Sequence, residues 1–164
     1  MPQGPFVKPI NRILVGDYNV PLLDMEVGAN ATAAKMVPGR LVIHDTTDGD
    51  VKEAGVKADN VLGVIEVQAG KLVTDSHSVG ANVKVIPLSS QAFVVLTLVS
   101  GGAAVAPGDP IVSAADGKAA KQAVGAMGSQ GSVVAHAWET ANPSGSDVTC
   151  IAQLVPGAEP AAAS

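Results

Sequence analysis

Three features of the sequence predict an all-β fold, a small compact β-barrel or β-sandwich of short antiparallel strands with little helix. The apolar residues are mostly Val and Ala, in short runs of strand length. From Val37 onward these runs alternate with Asp-Gly, Gly-Gly, Pro-Gly and Asn-Pro, the punctuation of tight hairpins. Aromatic residues are scarce, one Trp, one Tyr and two Phe in 164 residues, which suits thin β layers better than a large enzyme core.

The opening "MPQGPFVKPINR" holds three prolines and the cations Lys8 and Arg12 but no acid. It reads as an extended, locally basic arm, because proline fixes φ and cannot join a central strand. "NRILVGDYNVPLLDMEV" gives short strands broken at Gly16-Asp17 and Pro21, and "ANATAAKM" gives one helical turn. The strand candidates then follow as "GRLVIHD", "NVLGVIEVQ", "GKLVTD", "NVKVIPL", "AFVVLTLVS", "DPIVSA", "GSVVAHAWET" and "DVTCIAQLV". "GKAAKQAVGAM" is Ala-rich but interrupted by Gly125, so a strand and a loop are expected there. The expected organisation is an arm over residues 1–14, one β-rich domain over 15–156 and a fraying tail over 157–164.

The chain echoes itself. "VPGRLVIHDTTDGDVKE" at 37–53 and "APGDPIVSAADGKAAKQ" at 106–122 share a Pro-Gly, an apolar run and an Asp-Gly. Each is followed by a second apolar run that ends in an acid, "VLGVIEV" with Glu66 and "VVAHAWET" with Glu139. Either an internal pseudo-repeat spans 37–67 and 106–140, or a hairpin-rich barrel has reused the same turns.

The composition narrows the function classes. A net charge of −5 without a basic run argues against nucleic acid or an anionic membrane as partner. Charged residues make up only 15% against 47% apolar, so part of the surface is expected to be shared with a partner. The start lacks the apolar region of a signal peptide, and "AFVVLTLV" is far short of the roughly 20 apolar residues that span a bilayer. Cys150, the single cysteine, alternates like a strand residue and reads as packing.

No chemistry-bearing constellation emerges. "DTTDGD" at 45–50 fails the EF-hand pattern, since a frame with Gly49 at the sixth position puts Gly55 at the twelfth, where a bidentate Glu is needed. It reads as a hairpin turn. His44, His77 and His136 stand singly, without metal-ligand spacing. "GAMGSQGSVV" meets neither the nucleophile-elbow nor the P-loop spacing. No catalytic residue, metal or cofactor is expected. In "AFVVLTLVS", Phe93, Val95, Thr97 and Val99 face one way and Val94, Leu96 and Leu98 the other, so both faces are apolar and both call for cover. A second subunit is one source of that cover.

"VKVIPLSSQAFVVLTLVSGGAAVAPGDPIVSAADGKAAKQ", with the later "VVAHAWET", resembles the central segment of tailed-phage capsid decoration, or cement, proteins. The resemblance extends over residues 60–155 and rests on an apolar strand, a Gly-Asp-Pro step, an Asp-Gly-Lys turn and a Val-Val-Ala strand. It implies a non-enzymatic virion protein, made in the host cytoplasm. Such a protein sits on the exterior of the expanded capsid as a homotrimer at three-fold or quasi-three-fold positions. It clamps neighbouring major capsid subunits against genome pressure. On that reading Phe6, Val7, Lys8, Ile10 and Arg12 form a capsid-binding arm, and Phe93, Val95, Leu96 and Leu98 serve the core or the subunit interface. Trp138 reads as a core plug, with an interface anchor as the alternative. The rival readings are a glycan- or receptor-binding surface module and a carrier-type barrel domain. Lys118, between Gly117 and Ala119, lacks the flanks of a cofactor-attachment lysine.

Overall fold

A computed structural model describes residues 8–16, 19–123 and 131–156. The all-β class expected from the sequence is what the chain forms, and it forms it as two barrels of five strands each. The first contains β1 (Leu23–Val27), β2 (Leu41–His44), β3 (Asp50–Glu53), β4 (Val61–Glu66) and β5 (Asn82–Pro87). The second contains β6 (Phe93–Leu98), β7 (Pro110–Ser113), β8 (Ala119–Lys121), β9 (Ala135–Ala137) and β10 (Val148–Leu154). Among the described residues helix is confined to single 3-10 turns, of which Ala33–Lys35 lies in the "ANATAAKM" segment. "GKLVTD" forms turns rather than a strand, because Gly70 takes φ +78° and the Asp75 carboxylate accepts the Leu72 N–H at 2.9 Å.

The two barrels share one topology. Strand order is β1-β3-β2-β4-β5 in the first and β6-β8-β7-β9-β10 in the second, each closed by an antiparallel pair and each with one parallel pair, β1 with β3 and β6 with β8. Register matches as well. Val42 lies opposite Glu53 and Gly63, and Gly63 opposite Pro87; Ile111 lies opposite Lys121 and Ala135, and Ala135 opposite Leu154. Ile65, Val85 and Leu23 form a row that corresponds to Ala137, Ala152 and Val94. The repeated unit therefore covers 23–87 and 93–154, wider than the two segments whose sequences echo. The match also places Trp138, not Glu139, level with Glu66.

Burial follows from alternation. Val27, Val42, Val51, Ile65, Val83 and Val85 fill the first barrel, and Leu96, Leu98, Ile111, Ala119, Ala137, Cys150 and Ala152 fill the second. The many alanines fit the narrow bore of a five-strand barrel. Leu41, Val64 and Ile86, on the outer face of the first barrel, belong to the same buried cluster as the interior of the second, so the barrels share a core.

The echoed turns take part in that contact. At Gly39, with φ +83°, an added Cβ would lie 3.2 Å from the Val95 carbonyl oxygen of β6. At Gly117, with φ +69°, it would lie 2.7 Å from the Leu41 carbonyl oxygen of β2. Gly117 N–H donates to Ala54 C=O at 2.9 Å, and Arg40 Nη1 donates to Asp116 C=O at 2.8 Å.

Candidate functional site: the root of the N-terminal arm

The barrels bring together the segment that precedes them and the two acids that end the echoed runs. Residues 13–15 lie beside the first half of β6, where β8 has diverged from it. Leu14 bridges Val94, Val95 N–H donates to Ile13 C=O at 2.9 Å, and Val15 N–H donates to Phe93 C=O at 2.8 Å. Ile13, Leu14 and Val15 are all buried. Leu14 points into the shared core, while Val15 packs with Val95, Ile151 and Phe93 on the outer face of β6. The boundary expected at residue 14 is thereby corrected, since Ile13 and Leu14 belong to the barrel. On the far face of β6, Val15 from the chain's own N-terminal segment packs against Val95 and Phe93.

Glu66 secures the segment. Its carboxylate is 5% exposed and accepts the N–H groups of Ile13 at 2.7 Å, Leu14 at 2.8 Å and Val67 at 2.7 Å. A buried carboxylate is tolerated only when its lone pairs are met, and charge-assisted bonds of this kind are strong. Upstream, Asn11 is held by the 67–81 loop, its Nδ2 donating to Lys71 C=O at 3.1 Å and its Oδ1 accepting from Val73 N–H at 2.7 Å. Lys8 folds onto the second barrel, where Nζ donates to Thr149 C=O at 2.9 Å and pairs with Glu139 at 2.7 Å. Glu139 also accepts the Ile151 N–H at 2.9 Å.

The residues expected in the arm are thus distributed. Phe6 and Val7 lie outside the described residues. Lys8 is engaged within the chain, Arg12 is exposed, and Ile10 is 98% exposed between two anchors. Val95, Leu96 and Leu98 are buried inside the chain, and Phe93 is half-buried. Trp138 is corrected from a core position, since it is 46% exposed and meets Phe93 edge-on at 4.9 Å between ring centroids. It follows buried Ala137 and so continues the outer face that carries exposed His136. Lys118 pairs with Asp147 at 2.8 Å and is 18% exposed at its side chain, poorly presented for a carrier's attachment lysine.

Among the described residues no cluster of three or more His, Cys, Asp or Glu is placed to hold a metal, and no helix is long and apolar enough to cross a membrane. Burial pushes the Cys150 thiol up to about 11, which keeps it protonated. In the 45–50 turn, Asn30 N–H and Nδ2 donate to Asp45 at 3.0 and 2.9 Å, holding its carboxyl down at about 2.

Sequence reasoning missed Glu66, Asn11 and His77. His77 anchors the 67–81 loop: it is buried, its N–H donates to Met36 C=O at 2.9 Å, and its Nε2 has no hydrogen-bond partner among the described residues. Burial lowers its pKa from the usual 6.5, with Lys71 lowering it further and Asp75 opposing. The unfolded chain therefore binds a proton below pH 6.5 that the folded chain resists, and stability is lost as pH falls from about 6.5 towards the folded pKa. Thermal melts between about pH 7 and pH 5 are expected to show this loss, and His77→Phe is expected to flatten it.

No protein-family model matches the chain, and no curated protein matches it. Among solved structures, the chain is similar to the N base of the head fiber gp8.5 in bacteriophage phi29, with 16% sequence identity and a TM-score of 0.46, over 83% of this chain and 99% of that one.

Proposed function

We propose that this chain is a capsid decoration protein, a non-enzymatic component of a virion exterior that binds the expanded capsid and ties neighbouring major capsid subunits together. The resemblance of residues 60–155 supports the reading, and the rooted arm carries it. Lys8, Asn11 and residues 13–15 are fastened at separate points to both barrels, so tension on the arm is delivered to a closed, shared-core body rather than to a loop. Such a clamp needs no catalytic group. It needs several contacts that engage together, and an extended arm supplies one by adding a strand to a sheet edge of the capsid. Phe6 and Val7 are the residues proposed to make that contact.

Purified protein mixed with expanded, undecorated capsids is expected to bind at fixed stoichiometry and to raise the temperature at which the capsids open. Deleting residues 1–7 is expected to leave folding intact and to weaken capsid binding. Saturable binding without any gain in heat tolerance would sink the clamp mechanism, and undiminished binding after the deletion would sink the role of the arm. A glycan-binding reading is favoured by one observation, the exposed Trp138 braced by Phe93. Glycan-array binding that survives the deletion and is lost in Trp138→Ala would favour it over the clamp.

A further inference from the structure

The match between the barrels exposes one difference. In the second barrel the first half of β6 is unpaired on the β8 side, and Ile13-Leu14-Val15 fills that gap. In the first barrel β1 stands where β6 stands in the second. It meets β3 only at Glu26 and Val27, and its first half, Leu22 to Asp24, has no strand on that side among the described residues. Asp24 N–H and Leu22 C=O correspond to Val95 N–H and Phe93 C=O, the two groups that bond residues 13–15. Neither makes a hydrogen bond among the described residues. Burial agrees: Val94 and Leu96 are fully buried, whereas their counterparts Leu23 and Met25 are only half-buried.

We infer that the open edge of β1 receives the Pro9-Ile10-Asn11 segment of a second copy of this chain, Ile10 occupying in the first barrel the place that Leu14 occupies in the second. Ile10 is 98% exposed, a large apolar side chain with no cover of its own. The bonding pattern of residues 13–15 asks for a carbonyl at the first position and an N–H at the third, so proline at position 9 costs nothing. Charge agrees. Asp24 is paired with Lys84, but Glu26 on β1 with Asp48 and Asp50 on the facing hairpin carry no ion pair among the described residues, so the rim of the gap is acidic where Arg12 of the incoming segment, itself without an ion pair there, arrives. Leu72, 60% exposed beside Asn11, is brought into the same contact. The contact joins two different surfaces, so it closes either as a reciprocal two-fold exchange or as a ring. It assigns Ile10 and Arg12 to self-association and leaves Phe6 and Val7 for the capsid.

The test reads oligomeric state and cross-linking. The wild-type chain is expected to sediment as an oligomer that loosens at high salt. Ile10→Asp and Asp24→Pro are each expected to abolish the oligomer. Pro removes the donor offered to the incoming strand and, on the β5 side, the Asp24–Lys84 ion pair, so should Asp24→Pro fail to fold, Ile10→Asp at its exposed position still decides. Leu14 and Val94 are direct cross-strand partners, so Ile10→Cys chains mixed with Leu23→Cys chains are expected to form an interchain disulfide that neither forms alone. A monomeric wild type overturns the inference, as do mixed cysteine chains that stay unlinked while the oligomer persists. Asp24→Pro that loses capsid binding but keeps its oligomer gives the edge to a capsid strand and overturns it too. Because deletion of residues 1–7 leaves Ile10 in place, it probes the capsid-binding reading separately.

Discussion

Glu66→Ala is expected to lower stability by about 3 to 5 kcal/mol and to detach the N-terminal segment before the barrels themselves open. The substitution strands the N–H groups of Ile13 and Leu14, both buried, and each unsatisfied buried donor costs about 1–3 kcal/mol. It also removes the charge that strengthens those bonds. Glu66→Gln keeps one acceptor oxygen and is expected to lose about half as much. Hydrogen exchange at Ile13 and Leu14 reads the local effect, and a denaturant midpoint reads the global one. Unchanged protection of those two amides in Glu66→Ala would show that pairing with β6 alone holds the segment. If the arm transmits load, Glu66→Ala also weakens capsid retention while its residues 1–12 remain intact.

The strands were legible where alternation and turn chemistry agreed. β2 and β7 follow Pro-Gly and β10 precedes it, while β4, β5 and β6 are Val-rich runs beside Asp-Asn, Gly-Ala and Gly-Gly. The count of barrels was not legible, because an interior built on Ala119, Ala135, Ala137 and Ala152 needs few residues to close, and composition does not distinguish one thin sandwich from two narrow bores. The apolar faces of "AFVVLTLVS" announced burial on both sides without saying by what. A strand pattern records the need for cover, and here Val15, eighty residues upstream, supplies part of it. Glu66 was hidden for a related reason. An acid at the end of a strand reads as solvated, and only the return of residues 13–15 to its side gives the carboxylate its three donors. Trp138 was misplaced because an indole is expected to pack inward, whereas the alternation of buried Ala135 and Ala137 with exposed His136 puts position 138 on the outer face.

Gly117→Ala is expected to cost about 3 kcal/mol and Gly49→Ala only about 1 kcal/mol, although the two glycines hold equivalent places in the repeated unit and both have positive φ. The backbone penalty for a side chain in the left-handed region is common to both. The surroundings are not. Nothing lies within 4 Å of a Cβ at Gly49, whereas a Cβ at Gly117 meets the Leu41 carbonyl oxygen at 2.7 Å and Arg40 Cβ at 3.2 Å. The excess at Gly117 therefore measures the fit between the barrels, and it is expected to vanish in a fragment that carries the second barrel alone only if that fragment folds. Equal losses in the intact chain would show that the turn contributes no more than its own conformation. Unequal losses would show why sequence echo and structural role part company: Asp-Gly turns the chain in both copies, with Asp116 as well as Gly117 at positive φ in the second, but only the second turn has the other barrel seated against it. The Pro-Gly turns divide in the opposite sense, Gly39 lying against β6 and Gly108 facing open space. One element from each copy is thus committed to joining the barrels, and its counterpart in the other copy is left at the surface, so the interface that joins the barrels does not repeat from chain to chain.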